Sequence, residues 1–205
     1  MAGSFFHEML GAELGFLDKT DKWRLESRHF PSKVGGKPAW LELRHLPAAE
    51  EMACKLCEKP MTFLAQVYAP DDDEENKTRP LKDSCYHRTL FIFLCTRVEC
   101  NKKNANDNFC VLRCQLSKDN EFYPPIDPPD DPDWKADLTV EKYSTVCFVC
   151  GCSGTKLCGG CKKVNYCSKT HQLLHWKNGH KMLCNKGKRT YFLIYSALAE
   201  DYVDP

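Results

Sequence analysis

The stretch that decides the fold is residues 147–184, which read CFVCGCSGTKLCGGCKKVNYCSKTHQLLHWKNGHKMLC. It contains four closely spaced pairs of cysteine or histidine residues. The pairs are Cys147 and Cys150, Cys158 and Cys161, Cys167 and His171, and His180 and Cys184. Zinc takes four such ligands in a tetrahedron, and two ligands separated by two or three residues can share one ion without strain. Eight ligands in this stretch therefore predict two zinc ions, each held by three cysteines and one histidine.

These two predicted sites have the character of structural zinc and not of catalytic zinc. Protein ligands fill all four positions on each ion, so no position is left for a reactive water. His171 and His175 are spaced like the histidines of zinc proteases, but Gln172 follows the first one where those enzymes carry a glutamate. We therefore expect His175 to be a surface or packing residue. Ser168 and Gly179 are placed to begin and end the helix between them.

A second, less densely spaced set of cysteines lies in the first half of the chain. Cys54 and Cys57 form one pair, and Cys95 and Cys100 form another with four residues between them. They predict a Cys₄ site for a third zinc ion, since an intracellular Cys-x2-Cys pair commonly binds metal. Unliganded thiols are the alternative, and Cys110 or Cys114 could replace Cys100. A redox role would need a helix to begin at this pair, and Pro60 is better placed to end a turn.

The first half otherwise has the pattern of β-strands. Residues 62–68 alternate, with Phe63, Ala65 and Val67 predicted to share a face. Residues 89–94 form an uninterrupted apolar run, which predicts a strand buried on both faces. Residues 112–116 alternate again and predict its hairpin partner. Gly35 and Gly36 predict a tight turn with positive φ.

Composition and charge divide the chain further. The 205 residues include fourteen cysteines and have a mean hydropathy of −0.51, typical of a globular protein with reduced thiols that bind metal. Residues 147–189 hold nine lysines or arginines and no acid, whereas residues 1–146 hold 20 basic and 25 acidic residues. The Pro/Asp-rich run 124–133 predicts an extended linker that cannot enter a core. The acidic run 71–75 predicts a solvated loop.

No segment of the sequence indicates a membrane protein or a secreted one. The longest apolar run, residues 191–199, is about half of the roughly 20 residues that a spanning helix needs. The opening ten residues lack a basic start and an unbroken apolar stretch, so they make a poor signal peptide.

Residues 147–184 resemble a MYND-type zinc finger. The resemblance rests on the cysteine pairs, Tyr166-Cys167-Ser168, Gln172, Trp176 and the sequence from His180 to Cys184. Spacing alone does not say which pairs share an ion, but the resemblance implies a cross-braced arrangement. One ion would take Cys147, Cys150, Cys167 and His171, and the other Cys158, Cys161, His180 and Cys184. Cys152 is left over and is expected to be a small buried hydrophobe.

The order of features over residues 12–184 resembles the programmed cell death protein 2 family. The matching stretches are 13–16, 30–41, 66–70, the Cys95-to-Cys100 loop and 120–123, followed by the finger. The strand pattern, the Pro/Asp-rich linker and the finger divide the chain into a β-rich α+β N-terminal domain (1–123), the linker (124–146), the finger with short helices (147–184) and a tail (185–205). Family members continue beyond the finger, so we expect a truncated or alternative form, in which residues 191–195 would be an exposed strand.

The family resemblance implies a chaperone-like adaptor that binds a small-subunit ribosomal protein during ribosome biogenesis. It further implies presence in cytoplasm and nucleus, with links to cell proliferation and programmed cell death. The alternative is a MYND adaptor that recruits transcription or chromatin factors by binding proline-containing peptides. No enzymatic motif stands out. Lysines without a base-reading helix predict only weak, nonspecific nucleic-acid binding, so the basic run is interpreted as a solvated face.

Overall fold

A four-stranded antiparallel sheet forms the centre of the first half. A computed structural model describes residues 15–70 and 83–184. The strands are β1 (Lys33–Val34), β2 (Thr62–Tyr68), β3 (His87–Leu94) and β4 (Phe109–Leu116), and they lie in the order β1-β2-β3-β4. The predicted hairpin is confirmed, because β3 and β4 pair in one continuous register from His87 opposite Leu116 to Leu94 opposite Phe109. The β-rich fold class is confirmed.

The predicted face of β2 is wrong beyond its first residues. A β-bulge between Phe63 and Ala65 shifts the alternation, so that Phe63 and Gln66 are buried while Val67 is 43% exposed. Both polar atoms of the buried Gln66 side chain have hydrogen-bond partners. Its oxygen accepts from the Ala39 N–H at 2.8 Å, and its nitrogen donates to the Pro31 carbonyl at 2.9 Å. The side chain thereby fixes the segment before the sheet against β2.

Strand β3 is buried on one face and not on both. Phe91 and Phe93 are fully buried, whereas Leu90, Ile92 and Leu94 on the other face are half-buried. The uninterrupted apolar run therefore reflects one core face and one apolar outer face. On the core face, the Trp40 ring lies 4.6 Å from that of Phe91.

The turn predicted at Gly35-Gly36 is present. Gly35 has a φ of +76° and Gly36 a φ of +70°. Residues other than glycine rarely adopt this left-handed backbone region. The Gly35 N–H donates to the Leu64 carbonyl at 2.7 Å, which ties the turn to β2. Short 3₁₀ turns complete the described part of this half and the segment after it: Lys22–Leu25, Ser27–His29, Asp83–Cys85, Val98–Cys100 and Val140–Lys142.

The second half has one two-stranded sheet and two short helices in its described part. Strands β5 (Lys156–Leu157) and β6 (Asn165–Tyr166) pair antiparallel. Helix α1 (Lys169–His175) begins at Ser168, whose side chain accepts from the His171 N–H at 3.2 Å, as predicted. The wide turn Trp176–His180 follows, and Gly179, with a φ of +121°, interrupts the helical path before α2 (Lys181–Leu183).

Residues 124–146 lie against the first half instead of standing away from it. Arg28 is only 1% exposed, and its guanidinium donates to the carbonyls of Pro132, at 2.9 Å, and Trp134. Leu138 is buried within the core, while the aspartates of 124–133 are exposed and its prolines are exposed or half-buried. The segment is therefore held at defined points, and the predicted domain boundaries stay a prediction.

The two halves share one hydrophobic core. The Trp40 indole N–H donates to the Gly151 carbonyl at 2.7 Å, and the Ser153 N–H donates to the Pro47 carbonyl at 3.1 Å. Buried residues from Trp40 to Cys184 belong to a single cluster. The first half therefore packs directly against the finger.

Three predictions fall on residues outside the described ranges. They concern the acidic loop at 71–75, the exposed strand at 191–195 and the tail 185–205. Among the helices of residues 15–70 and 83–184, none combines the length and apolar character needed to cross a membrane.

Candidate metal centres

The first cluster joins a turn in the first half to the end of β3. Cys54 and Cys57 lie between Ala53 and Pro60, which form an isolated bridge. Cys95 follows β3, and Cys100 ends a 3₁₀ turn. The turn is closed by hydrogen bonds from the Cys54 N–H to the Lys59 carbonyl and from the Glu58 N–H to the Cys54 carbonyl, both 2.8 Å. All four Sγ atoms lie within 4.8 Å of one another, and Cys57 and Cys95 are 3.7 Å apart.

The alternative ligands for this cluster lie elsewhere. Cys110 and Cys114 are half-buried on β4, and Cys85 is in the turn before β3. None of the three belongs to a metal-binding group in the described part of the chain. Burial raises the pKa of the Cys110 and Cys114 thiols, which favours their neutral form. The structure therefore brings Cys100, and not either of these, to the cluster.

The second cluster contains Cys147, Cys150, Cys167 and His171. The Nδ1 atom of His171 lies 3.6 Å from the Cys147 sulfur and 3.1 Å from the Cys167 sulfur. The Cys150 and Cys167 sulfurs are 3.7 Å apart. Because Ser168 caps the helix one turn below, it fixes the direction in which α1 presents His171.

The third cluster contains Cys158, Cys161, His180 and Cys184. The Nε2 atom of His180 is 3.2 Å from the Cys158 sulfur and 3.7 Å from the Cys161 sulfur, and the Cys158 and Cys184 sulfurs are 3.7 Å apart. Gly160 lies beside this cluster, where an added Cβ would come within 2.7 Å of the Cys184 sulfur. The glycine therefore leaves the room that the thiolate needs.

The donor geometry of the three clusters fits zinc. A tetrahedron with Zn–S bonds of about 2.3 Å has edges of about 3.8 Å, close to the three sulfur–sulfur separations of 3.7 Å. Those separations exclude disulfides, and none of the fourteen cysteines, all of which lie in the described ranges, takes part in one. Each four-residue set is closed by protein ligands and largely buried. The three clusters could each hold a zinc ion in the structural manner.

The electrostatics of the clusters also favour a cation. Burial raises the pKa of Cys54, but hydrogen bonds from the N–H groups of Leu56 and Cys57 and from the Cys95 and Cys57 side chains together lower it to about 7. Burial and neighbouring thiols raise the pKa of Cys100 to about 12. Burial lowers the pKa of His171, yet the sulfurs of Cys147 and Cys167 raise it more, to about 9. Without a metal, the negative charge of one thiolate keeps the neighbouring thiols protonated. A bound divalent cation would remove that repulsion, and the thiols would release their protons as they bind it.

The two residues left over from the ligand sets are both packing residues. His175 is buried, stacks on Phe148 at 3.9 Å, and has its Nδ1 2.8 Å from the Tyr166 hydroxyl. Burial, with smaller effects of His180 and Lys37, lowers its pKa to about 3, so its ring is neutral. Cys152 is likewise buried. Sequence reasoning left His175 open between surface and interior, and the structure places it in the interior.

Two contacts at these sites were not predicted. Trp40 binds the finger through Gly151, and Lys37 places its ammonium 4.5 Å from the centre of the Phe148 ring. Trp40 and Lys37 both lie in the stretch 30–41, which carries part of the family resemblance. That resemblance is the one feature of the sequence that could have indicated these contacts.

Comparison with known proteins finds two family models that match parts of the chain. The model of the programmed cell death protein 2 N-terminal domain matches residues 11–131. The chain belongs to the programmed cell death protein 2 family. The MYND finger model matches residues 147–184, and MYND fingers bind zinc. The family is non-enzymatic, and neither match describes a catalytic domain.

Curated relatives agree with this assignment. The chain is 45% identical to programmed cell death protein 2 of Bos taurus over 84% of this chain and 48% of the relative. It is 40% identical to that of Mus musculus over 89% of this chain and 50% of the relative. The chain thus spans about half the length of these relatives. No solved structure matches it. The family and the finger together support a zinc-binding adaptor role linked to programmed cell death.

Proposed function

We propose that the chain is a zinc-stabilised adaptor that escorts a small-subunit ribosomal protein during ribosome biogenesis, in the cytoplasm and the nucleus. We also propose that the residues of all three clusters are zinc ligands. The observation that carries the adaptor role is that each cluster is closed by four protein donors and packed into the core. The metal then stabilises a surface for protein contacts and has no open position for chemistry.

The distribution of charge supports a basic client. The acids of the segment after the sheet, including Asp127, Asp131, Asp133 and Glu141, lie at the surface. The finger presents six lysines and no acid over 147–184. A basic ribosomal protein would be attracted to the first surface and repelled by the second, and the attraction would weaken with salt.

Binding of purified small-subunit ribosomal proteins to the zinc-loaded chain tests this proposal. We expect one of them to bind, with an association rate that falls as salt rises. The double variant Asp133→Lys, Glu141→Lys should slow association. Its matched control, Lys162→Glu with Lys163→Glu on the finger, should not. Equal effects of both variants, or no binding by any of these proteins, would contradict the proposal. A fluorescent fusion checks the proposed presence in both compartments.

Recognition of proline-containing peptides by the finger is the second candidate. Its support is the half-buried Trp176, whose ring is 5.8 Å from that of His180 at 70°, with Gln172 one turn earlier. Aromatic surfaces of this kind bind extended proline-rich segments. We expect Gln172→Ala to weaken binding of such a peptide while Leu173→Ala, on an exposed neighbouring position, does not. Calorimetry with a proline-rich peptide distinguishes the two outcomes.

A further inference from the structure

A small pocket of about 150 Å³ lies between the sheet and the segment after it. Phe30, Tyr68 and Tyr86 line it from the first half, and Pro128 and Asp127 line it from the segment. Asp127 provides the one carboxylate among its described lining residues, and it forms no ion pair with a described residue. The pocket therefore combines aromatic rings, proline rings and a single negative charge.

The aromatic side of this pocket is pre-organised. Phe30 has left-handed backbone angles (φ 47°, ψ 52°), which are rare for a bulky residue and place its ring 4.4 Å from His87 and 5.2 Å from Tyr68. The Tyr68 hydroxyl lies 2.8 Å from His87 Nδ1. The Tyr86 ring meets the His87 ring edge-on at 4.9 Å. A ligand would therefore meet rings that are already held in position, which lowers the entropic cost of binding.

Apart from the Lys118 ammonium, which lies 5.1 Å from the centre of the Tyr86 ring, the charges around the pocket are compatible with a cation inside it. The nearby guanidiniums are engaged: Arg28 with Glu26 and two carbonyls, Arg24 with Asp130, and Arg88 with the Ala69 carbonyl. Burial lowers the pKa of His87 and of His29, so these imidazoles are neutral near pH 7 and do not repel a cation.

Tyr86 already interacts with a cation inside the chain. The Lys118 ammonium lies 5.1 Å from the centre of the Tyr86 ring, within the range of a cation–π contact. The ring therefore already interacts favourably with one positive charge at this position. Aromatic rings with a carboxylate recognise alkylated cations best, because those shed water at low cost.

We propose that this pocket binds the methylated cationic head group of a lysine or arginine side chain from a partner protein. The volume suits a single head group, and the prolines would cover its apolar carbons while Asp127 balances its charge. The inference deepens the proposed function, because a basic client would supply the side chain. The preference of the pocket for an alkylated cation follows from its lining residues and does not depend on which client protein binds.

Titration of the zinc-loaded full chain with tetramethylammonium chloride tests the pocket. The aromatic NMR signals of Tyr86 and Tyr68 should shift and saturate, whereas sodium chloride and the neutral isostere tert-butanol should not shift them. Tyr86→Leu should weaken binding by about 3- to 30-fold, the range expected for a cation–π contact. Asp127→Asn, which removes the carboxylate, should also weaken binding. Tyr86→Phe, which keeps the aromatic face, should bind normally and guards against a folding artefact. Absence of binding, equal binding of tert-butanol, or an unaffected Tyr86→Leu variant would overturn the proposal.

Two further ligands identify the source of the cation. Trimethyllysine and dimethylarginine are titrated separately, and binding of either supports the proposal and names the side chain. Binding of tetramethylammonium with neither of them would overturn assignment to a protein side chain. A chain that binds these ligands but no ribosomal protein would contradict the proposed function and leave the pocket in place, so the two failures are distinguishable.

Discussion

The first half and the finger use different means to hold a fold together. The sheet of the first half buries Phe91, Phe93, Leu41 and Leu43 completely, so apolar burial stabilises it directly. In the finger, half of the buried residues are cysteines and histidines of the two clusters, and Tyr166, Val164 and Leu183 are the large apolar or aromatic ones among the rest. A segment of 38 residues with so little apolar burial depends on metal, which supplies about 10–16 kcal/mol in comparable fingers.

This difference determines what each half should tolerate. The first half also holds a cluster, but it lies at one end of a sheet whose part of the shared core is built from large apolar side chains. Loss of metal should therefore unfold the finger and only loosen the sheet. Through the shared core around Trp40, a loss of stability in one half can lower the stability of the other.

The largest effect is expected for Cys150→Ser. Removing one of four ligands should release the ion of the second cluster and unfold the finger, because nothing else of similar strength stabilises it. Native mass spectrometry should show fewer than three zinc ions, and the β signal in circular dichroism should persist. Cys85→Ser, which changes a thiol outside the clusters, is the control. Loss of the β signal in Cys150→Ser would show that the halves fold as one unit.

Cys57→Ala tests the same idea in the first half. We expect the zinc count to fall by one and the melting temperature of the sheet to drop, with the sheet still folded at 25 °C because Phe91 and Phe93 remain buried. Cys110→Ala should keep the full zinc count, since Cys110 lies outside the cluster. A reduced count in Cys110→Ala, and not in Cys57→Ala, would reassign the ligands.

The metal clusters could be predicted from sequence better than the surface around them. Ligand spacing is a local property of the chain, so the pairs can be recognised from the sequence itself, although the sharing of pairs between ions came from resemblance. The face of β2 could not be predicted, because the buried position of Gln66 goes with hydrogen bonds between its side chain and the backbone of Ala39 and Pro31, which lie 27 and 35 positions earlier in the chain. The docking of residues 124–146 was missed for the same reason. It depends on Arg28, more than 100 positions earlier.

Gly160→Ala should weaken the third cluster without removing a ligand. The added Cβ would lie 2.7 Å from the Cys184 sulfur, and a displaced thiolate would bind zinc less tightly. We expect a loss of about 10–100-fold in zinc affinity at this site, as for other changes next to metal ligands. Gly159→Ala is the matched control, because no atom lies within 4 Å of its added Cβ. Chelator competition measures both, and equal affinities would show that Cys184 moves freely.

The smallest expected effect concerns the contact between the halves. Trp40→Phe keeps an aromatic ring beside Phe91 but removes the indole N–H that binds the Gly151 carbonyl at 2.7 Å. A buried carbonyl without a donor should cost about 1–3 kcal/mol. Because the carbonyl belongs to the finger, hydrogen exchange should become faster in residues 147–184 by more than in β3, where only ring packing on Phe91 and Phe93 is reduced. A larger change in β3 would mean that Trp40 stabilises the sheet more than it stabilises the contact between the halves.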